Sequence, residues 1–443
     1  MKLLSTNSSS VQASWKEGVL NGLAPDGGLW LPNELPSIGA TRLREFTGAS
    51  FPDLAIEILS SFLSSEVPPE VLREVCLESF NFPIPLVTLS SRLSILELFH
   101  GPTCAFKDFG ARFMSRLFRY FYGSDSSQVL TVLTATSGDT GSAVADAFFD
   151  ASENPAIRVV VLFPKGKISE IQARQMTTLG GNIYALEVDG NFDDCQRLVK
   201  EALHDSSFTT EYPLTSANSI NIARLLPQSL YYVYAWLLLA PNSHPVFSVP
   251  SGNLGNLTGG LLAQHLGMPV TRFIAATNKN EVFPRYLNTG EYLPSSSAQT
   301  VANAMDVGAP SNFARISQLY NGDHSIARQN ISGYAFDDTE ILSEIKVVLE
   351  RYEYLLDPHT AIGTLALRSF QREYAIHPGA APGIVLATAH PAKFSSVIER
   401  ATGTTPTLPT QLQGLLDKPT RVFPLSAKIT ELERFISEIP QQS

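Results

Sequence analysis

Lys107 stands between Phe106 and Phe109 in the run HGPTCAFKDFGARF, residues 100–113. Aromatic neighbours desolvate an amine and lower the cost of its losing a proton, so this lysine suits covalent chemistry as a Schiff-base amine. An isolated lysine ahead of a helix also serves as an ordinary surface cap, and other segments have to separate the two readings. ATSGDTGSA, residues 135–143, sets Ser137, Gly138, Asp139 and Thr140 between a predicted strand and a predicted helix. Hydroxyls and backbone N–H groups at such a turn make a seat for a carboxylate or a phosphate, although any capped helix start looks similar. VPSGNLGNLTGG, residues 249–260, repeats the arrangement with Gly252, Asn253, Gly255 and Asn256. It lacks both the GxGxxG spacing and the Lys-Ser/Thr of a nucleotide loop, so a compact phosphate without a ribose fits it better.

Two further segments offer polar groups. In TSANSINIARLLPQ, residues 215–228, Asn218, Ser219 and Arg224 suit a second phosphate, and a capped helix with a solvated arginine describes the same residues. In LATAHPAKF, residues 386–394, Thr388 ends a strand and offers a neutral hydroxyl. HExxH, paired CxxC, GxSxG and DxDxDG elements are absent, which leaves metal hydrolysis and nucleophile-elbow chemistry without support and gives no metal site.

The elements that must position these residues alternate. Short apolar strands are predicted at 94–98, 129–135, 158–163, 183–188, 245–249, 271–276 and 383–387. Helical patterns fall between them at 111–122, 142–149, 169–179, 193–204 and 257–266. Strand–helix alternation predicts an α/β fold with parallel sheets covered on both faces, and ligands in such folds collect at the carboxyl ends of strands. The chain ahead of about residue 95 has a different rhythm, with helical patterns at 54–63 and 70–80 broken by prolines, and reads as a separate helix-rich N-terminal domain.

Composition excludes several classes. With 443 residues, 44% of them apolar and only 17% charged, the chain has material for two or three cores and is unlike a disordered or nucleic-acid-coating protein. Its net charge of −10 means that an anionic ligand is held by local groups and not by the overall field. Cys76, Cys104 and Cys195 are scattered and read as reduced thiols of a cytoplasmic protein. The run LYYVYAWLLLA, residues 230–240, is too short to span a bilayer and reads as a buried helix.

In order, spacing and wording, NGLAPDGGLWLP (21–32), HGPTCAFKDFGARF, TSGDTG, NSINIAR, VPSGNLGN and AHPAKF resemble the threonine synthase family, in its bacterial and fungal branch, over nearly the whole chain. The resemblance implies two α/β lobes with pyridoxal 5'-phosphate in the cleft between them, in the fold of the tryptophan synthase β subunit. Domains then fall at 1–95, 96–215 and 216–443. It implies that Lys107 bonds to the cofactor and carries protons, with Phe106 beside the ring and Asp139 near the phenolic oxygen. Gly252, Asn253, Leu254, Gly255 and Asn256 cradle the cofactor phosphate, and Thr388 meets the pyridine nitrogen. Ser137, Gly138 and Thr140 hold the substrate carboxylate, and Asn218, Ser219 and Arg224 the leaving phosphate of O-phosphohomoserine. The expected product is threonine, made without nucleic-acid or membrane partners by a monomer or small homo-oligomer. Departures are few: Cys104 and Leu254 replace other apolar types, and Asp139 stands where the wider superfamily commonly has asparagine. A carboxylate there shares a proton with the phenolic oxygen or repels it. A dehydratase of the same fold shares the lysine and the glycine loops, and a binding protein that kept the fold has no use for the lysine.

Overall fold

A computed structural model describes residues 1–123, 128–150, 156–374 and 381–439. At the N-terminus β1 (Leu3–Ser5), β2 (Gln12–Ala13) and β3 (Trp30–Pro32) form a small antiparallel sheet in the order β2-β1-β3. A Cβ at Gly28 would lie 2.0 Å from the Ser5 hydroxyl, so the turn leading into β3 closes only around glycine. The N-terminal region is therefore not helical throughout. Its helices are Trp15–Asn21, Ala40–Arg44, Phe51–Leu63 and Pro69–Ser79; Ser50 caps the third, ahead of a proline in the first turn, and starts it three residues before the apolar pattern does.

The remaining strands are β4 (Leu86–Ser90), β5 (Leu93–Glu97), β6 (Leu130–Ala135), β7 (Ile157–Pro164), β8 (Ile183–Asp189), β9 (Leu214–Ser216), β10 (Val246–Pro250), β11 (Arg272–Thr277), β12 (Ile331–Ala335), β13 (Gly383–Ala387) and β14 (Phe423–Ser426). They make one sheet in the order β12-β11-β10-β13-β5-β4 and another in the order β14-β8-β7-β6-β9. All pairings are parallel except that of the edge strand β4 with β5. Every residue of β6, β7, β10 and β13 is buried, as expected of strands covered by helices on both faces. The sheets interleave along the chain: β5 lies with β13 and β10, far downstream of it, and β14 returns from the C-terminus to β8. Strand β12 escaped the sequence pattern because it is a half-buried edge strand with Gly333 at its centre, where a Cβ would meet Pro284 Cα at 2.8 Å.

Three helices begin earlier than their apolar periodicity indicates, at Lys107, Asp139 and Gly255. None has a side-chain cap, whereas Ser14, Ser50, Ser169, Asn191, Asp337 and Asp357 cap other helices with hydroxyl, amide or carboxylate oxygens. The expected apolar helix spans Leu230–Leu237 and buries Tyr231 and Tyr232 completely. Among the described residues no helix is long and apolar enough to cross a membrane.

Candidate active site

One cavity is lined by residues from both large sheets, among them Phe106, Lys107, Ser137, Asp139, Thr140, Asn218, Ser219, Arg224, residues 252–256 and Thr388. Of the residues singled out in the sequence only Gly138 is missing from the lining. It shapes the turn from behind: φ is +137°, and a Cβ there would stand 2.3 Å from the Gln172 side chain. Thr136 organises the same turn, its Oγ1 accepting from the Gly138 and Gly141 amides at 2.9 and 2.8 Å and donating to the Gly138 carbonyl at 3.0 Å.

Lys107 and Thr388 reach the cavity together because the segment before Lys107 zips onto the end of β13. The Phe106 amide donates to the Thr388 carbonyl at 2.8 Å, and the His390 amide donates to the Cys104 carbonyl at 3.0 Å. Cys104 takes φ +55° to make that turn, which explains its burial but not its identity. Lys107 Nζ lies 4.4 Å from the centre of the Phe106 ring. Burial, then the charge of Arg224, pull its pKa down to about 8 against the opposing pull of Asp139. This amine therefore loses its proton far more readily than a solvated lysine.

Asp139 is not alone. Its Oδ1 accepts from Lys393 Nζ at 2.7 Å and from Gln172 Nε2 at 2.9 Å, and Lys393 Nζ also donates to the Thr103 carbonyl at 2.8 Å. Burial pushes the Asp139 carboxyl up, but Lys393 and Gln172 outweigh it and hold the group below its ordinary value. The carboxylate that sequence comparison made awkward thus carries its own buried counter-ion, from a lysine within the quoted AHPAKF motif. No local pattern marks Lys393 as functional; only the approach of the two sheets does.

On the opposite side, Leu254 at φ +61° turns the chain into the helix Gly255–His265. A Cβ at Gly252 would come within 2.7 Å of the Ala304 carbonyl. Tyr231 and Tyr232 donate to Asn256 Oδ1 at 2.7 and 2.8 Å, which fixes the amide and leaves its buried Nδ2 without a protein partner. Asn253 does less with its side chain than its place in the loop implies: Nδ2 donates to Ser219 Oγ at 2.7 Å and Oδ1 accepts from the Ser311 amide. Asn218 is a brace as well, exchanging hydrogen bonds with the Ala135 amide and carbonyl at 3.1 and 2.6 Å. Arg224 is buried, with Nη1 on the Ala217 carbonyl at 2.6 Å and Nε without a partner. Burial lowers its pKa to about 10, and it makes no ion pair among the described residues. Sequence reasoning passed over Arg315 and Asn312, which lie behind Ser219, because an arginine in SNFARI carries no motif. No group of side chains suited to a metal ion occurs among the described residues.

Three families match along the chain: the threonine synthase N terminus over residues 2–80, the pyridoxal-phosphate dependent enzymes over 82–386, and the threonine synthase C-terminal family over 360–436. Threonine synthase of Escherichia coli (strain K12) is 42% identical, with 98% of this chain and 99% of that protein aligned. Threonine synthase of Schizosaccharomyces pombe is 34% identical over 98% of this chain and 97% of its own. The crystal structure of the E. coli enzyme superposes with a TM-score of 0.92 over 99% of this chain and 100% of that one, at 41% identity. That of PLP-bound threonine synthase from Brucella melitensis does so with a TM-score of 0.89 over 98% of each chain, at 35% identity.

Proposed function

The chain belongs to the threonine synthase family of pyridoxal-phosphate enzymes, and on that premise we propose that it converts O-phosphohomoserine and water into L-threonine and phosphate. The cavity suits the cofactor on its own chemistry. A partly buried amine with a lowered pKa faces it, a buried amide N–H at Asn256 lacks a partner beside an uncapped helix start, and Thr388 supplies a neutral hydroxyl. Lys107 would be the residue that holds the aldehyde, the turn at 252–256 with Asn256 would hold the phosphate, and Thr388 would offer its hydroxyl to the ring nitrogen. When bound, pyridoxal phosphate would supply the electron sink that acidifies the hydrogen on the amino-bearing carbon and, after its loss, those on the adjacent β carbon.

The side chains then divide the remaining work. Ser137, Thr140 and the backbone of their turn hold the substrate carboxylate at the uncapped start of the helix Asp139–Phe148. Lys107 Nζ, deprotonated at modest cost, would take the α proton and a β proton, deliver one proton to the γ carbon once phosphate has left, and return one to the α carbon. Asp139, kept ionised by Lys393, contributes no net charge beside the cofactor, which removes the repulsion that a lone carboxylate exerts on a phenolic oxygen. Arg224 and Ser219 receive the leaving phosphate, and water adds to the β carbon.

The observation that carries the phosphate-bearing substrate is Arg224: a buried guanidinium, free of ion pairs among the described residues, lines the same cavity as the Lys107 amine. A dehydratase acting on serine or threonine needs no such cation. Purified protein given pyridoxal phosphate and O-phosphohomoserine should release threonine and phosphate in equal amounts. Release of 2-oxobutyrate in place of threonine would overturn the proposal.

A further inference from the structure

We propose that Arg315, which touches neither the cavity nor a substrate, is a positioning residue that makes the Ser219 hydroxyl a hydrogen-bond donor to the leaving phosphate. The inference rests on the reading that Ser219 and Arg224 receive that phosphate. Arg315 is fully buried in the helix Phe313–Leu319 and lies outside the cavity lining. It donates to four neutral oxygens: the Trp30 carbonyl at 3.1 Å, the Ser219 carbonyl at 3.0 Å, the Ile220 carbonyl at 2.6 Å and Asn312 Oδ1 at 2.7 Å. It makes no ion pair among the described residues, and burial alone lowers its pKa to about 9.

A guanidinium has donors only, so the Asn312 atom it meets must be the oxygen. That contact fixes the amide orientation and sends Asn312 Nδ2 to Ser219 Oγ at 3.3 Å and to the Asn253 carbonyl at 3.0 Å. The Asn253 amide is fixed in the same manner, because the Ser311 N–H can donate only to its oxygen; its Nδ2 therefore meets Ser219 Oγ at 2.7 Å. A serine hydroxyl has two acceptor lone pairs and one hydrogen. With both lone pairs occupied, the Ser219 hydrogen is left to donate, and Ser219 lines the cavity. Arg315 thus fixes the polarity of a chain running from its own guanidinium through Asn312 to Ser219. Because it holds the Trp30 carbonyl too, it ties the N-terminal sheet to the phosphate site.

The test is calorimetric titration of the holoenzyme with inorganic phosphate. Arg315→Gln and Asn312→Ala should each weaken phosphate binding by roughly tenfold to a hundredfold, the span expected for one hydrogen bond to a charged group. Neither should weaken phosphate further in a Ser219→Ala background. Asn312→Ala keeps the test decisive if Arg315→Gln folds poorly. Full phosphate affinity in Asn312→Ala or an undiminished loss in the Ser219→Ala background would each overturn the proposal. Arg224→Ala serves as the control: if it too leaves phosphate affinity untouched, the phosphate-site reading itself falls, and not only the role of Arg315.

Discussion

Replacing Arg224 by alanine separates a phosphate-eliminating enzyme from a dehydratase on the same fold. In the free protein Arg224 spends one nitrogen on the Ala217 carbonyl and leaves Nε without a partner. Its removal therefore strands one carbonyl, at about 1–3 kcal/mol of stability, and leaves the fold otherwise intact. In the substrate complex the loss is larger, because a charge-assisted contact to a dianion in a desolvated site disappears. Truncating such a contact costs about 2–5 kcal/mol, a fall in kcat/KM of roughly 30-fold to several thousand-fold. Cofactor attachment should survive, since burial, which Arg224→Ala does not change, is the larger cause of the lowered Lys107 pKa. The assay is steady-state turnover of phosphohomoserine beside slow deamination of serine, with the cofactor absorbance recorded for each variant. Phosphohomoserine turnover should fall within that range while serine turnover stays close to that of the unmodified enzyme. Survival of phosphohomoserine turnover with collapse of serine turnover refutes the reasoning.

Three other outcomes follow from the geometry. Lys393→Met leaves Asp139 buried without its counter-ion and should cost about 3–5 kcal/mol in urea unfolding at neutral pH. Asp139→Asn in that background should recover most of it, and failure to recover would show that Lys393 acts by packing alone. The sign is set by the lowered Asp139 pKa: the pair's contribution is in place above the ordinary carboxylate range and fades as pH falls through the folded value beneath it. Capture of pyridoxal phosphate by the apoenzyme should accelerate as pH rises through about 8, where Lys107 loses its proton, and a midpoint near that of a free lysine would contradict its desolvation. Gly138→Ala drives a Cβ to 2.3 Å from Gln172 at a backbone angle hostile to alanine, so turnover and thermal stability should both drop sharply; unchanged melting would mean that the 136–141 turn relaxes freely.

The sequence by itself contained the α/β rhythm, the two glycine-rich turns and Lys107, because each is a local pattern. Apolar strands such as β7 are buried on both faces and need no partner to be recognised, and the lysine between phenylalanines stands out once the glycine-rich turns are read with it. What it could not contain is who faces whom across the cleft. Lys393 meets Asp139 over a separation of more than two hundred residues, and Arg315 reaches back to Trp30 and Ser219. Those partners come together only when β5 joins β13 and the two sheets close on one cavity. The same closure turns Asn218 and Asn253, which sequence order assigned to anions, into braces for backbone and hydroxyl groups. Hydrogen-bond polarity depends on which donors are obligatory, and that is a property of neighbours in space; it is why the roles of Asn312 and Ser219 had to wait for the tertiary structure.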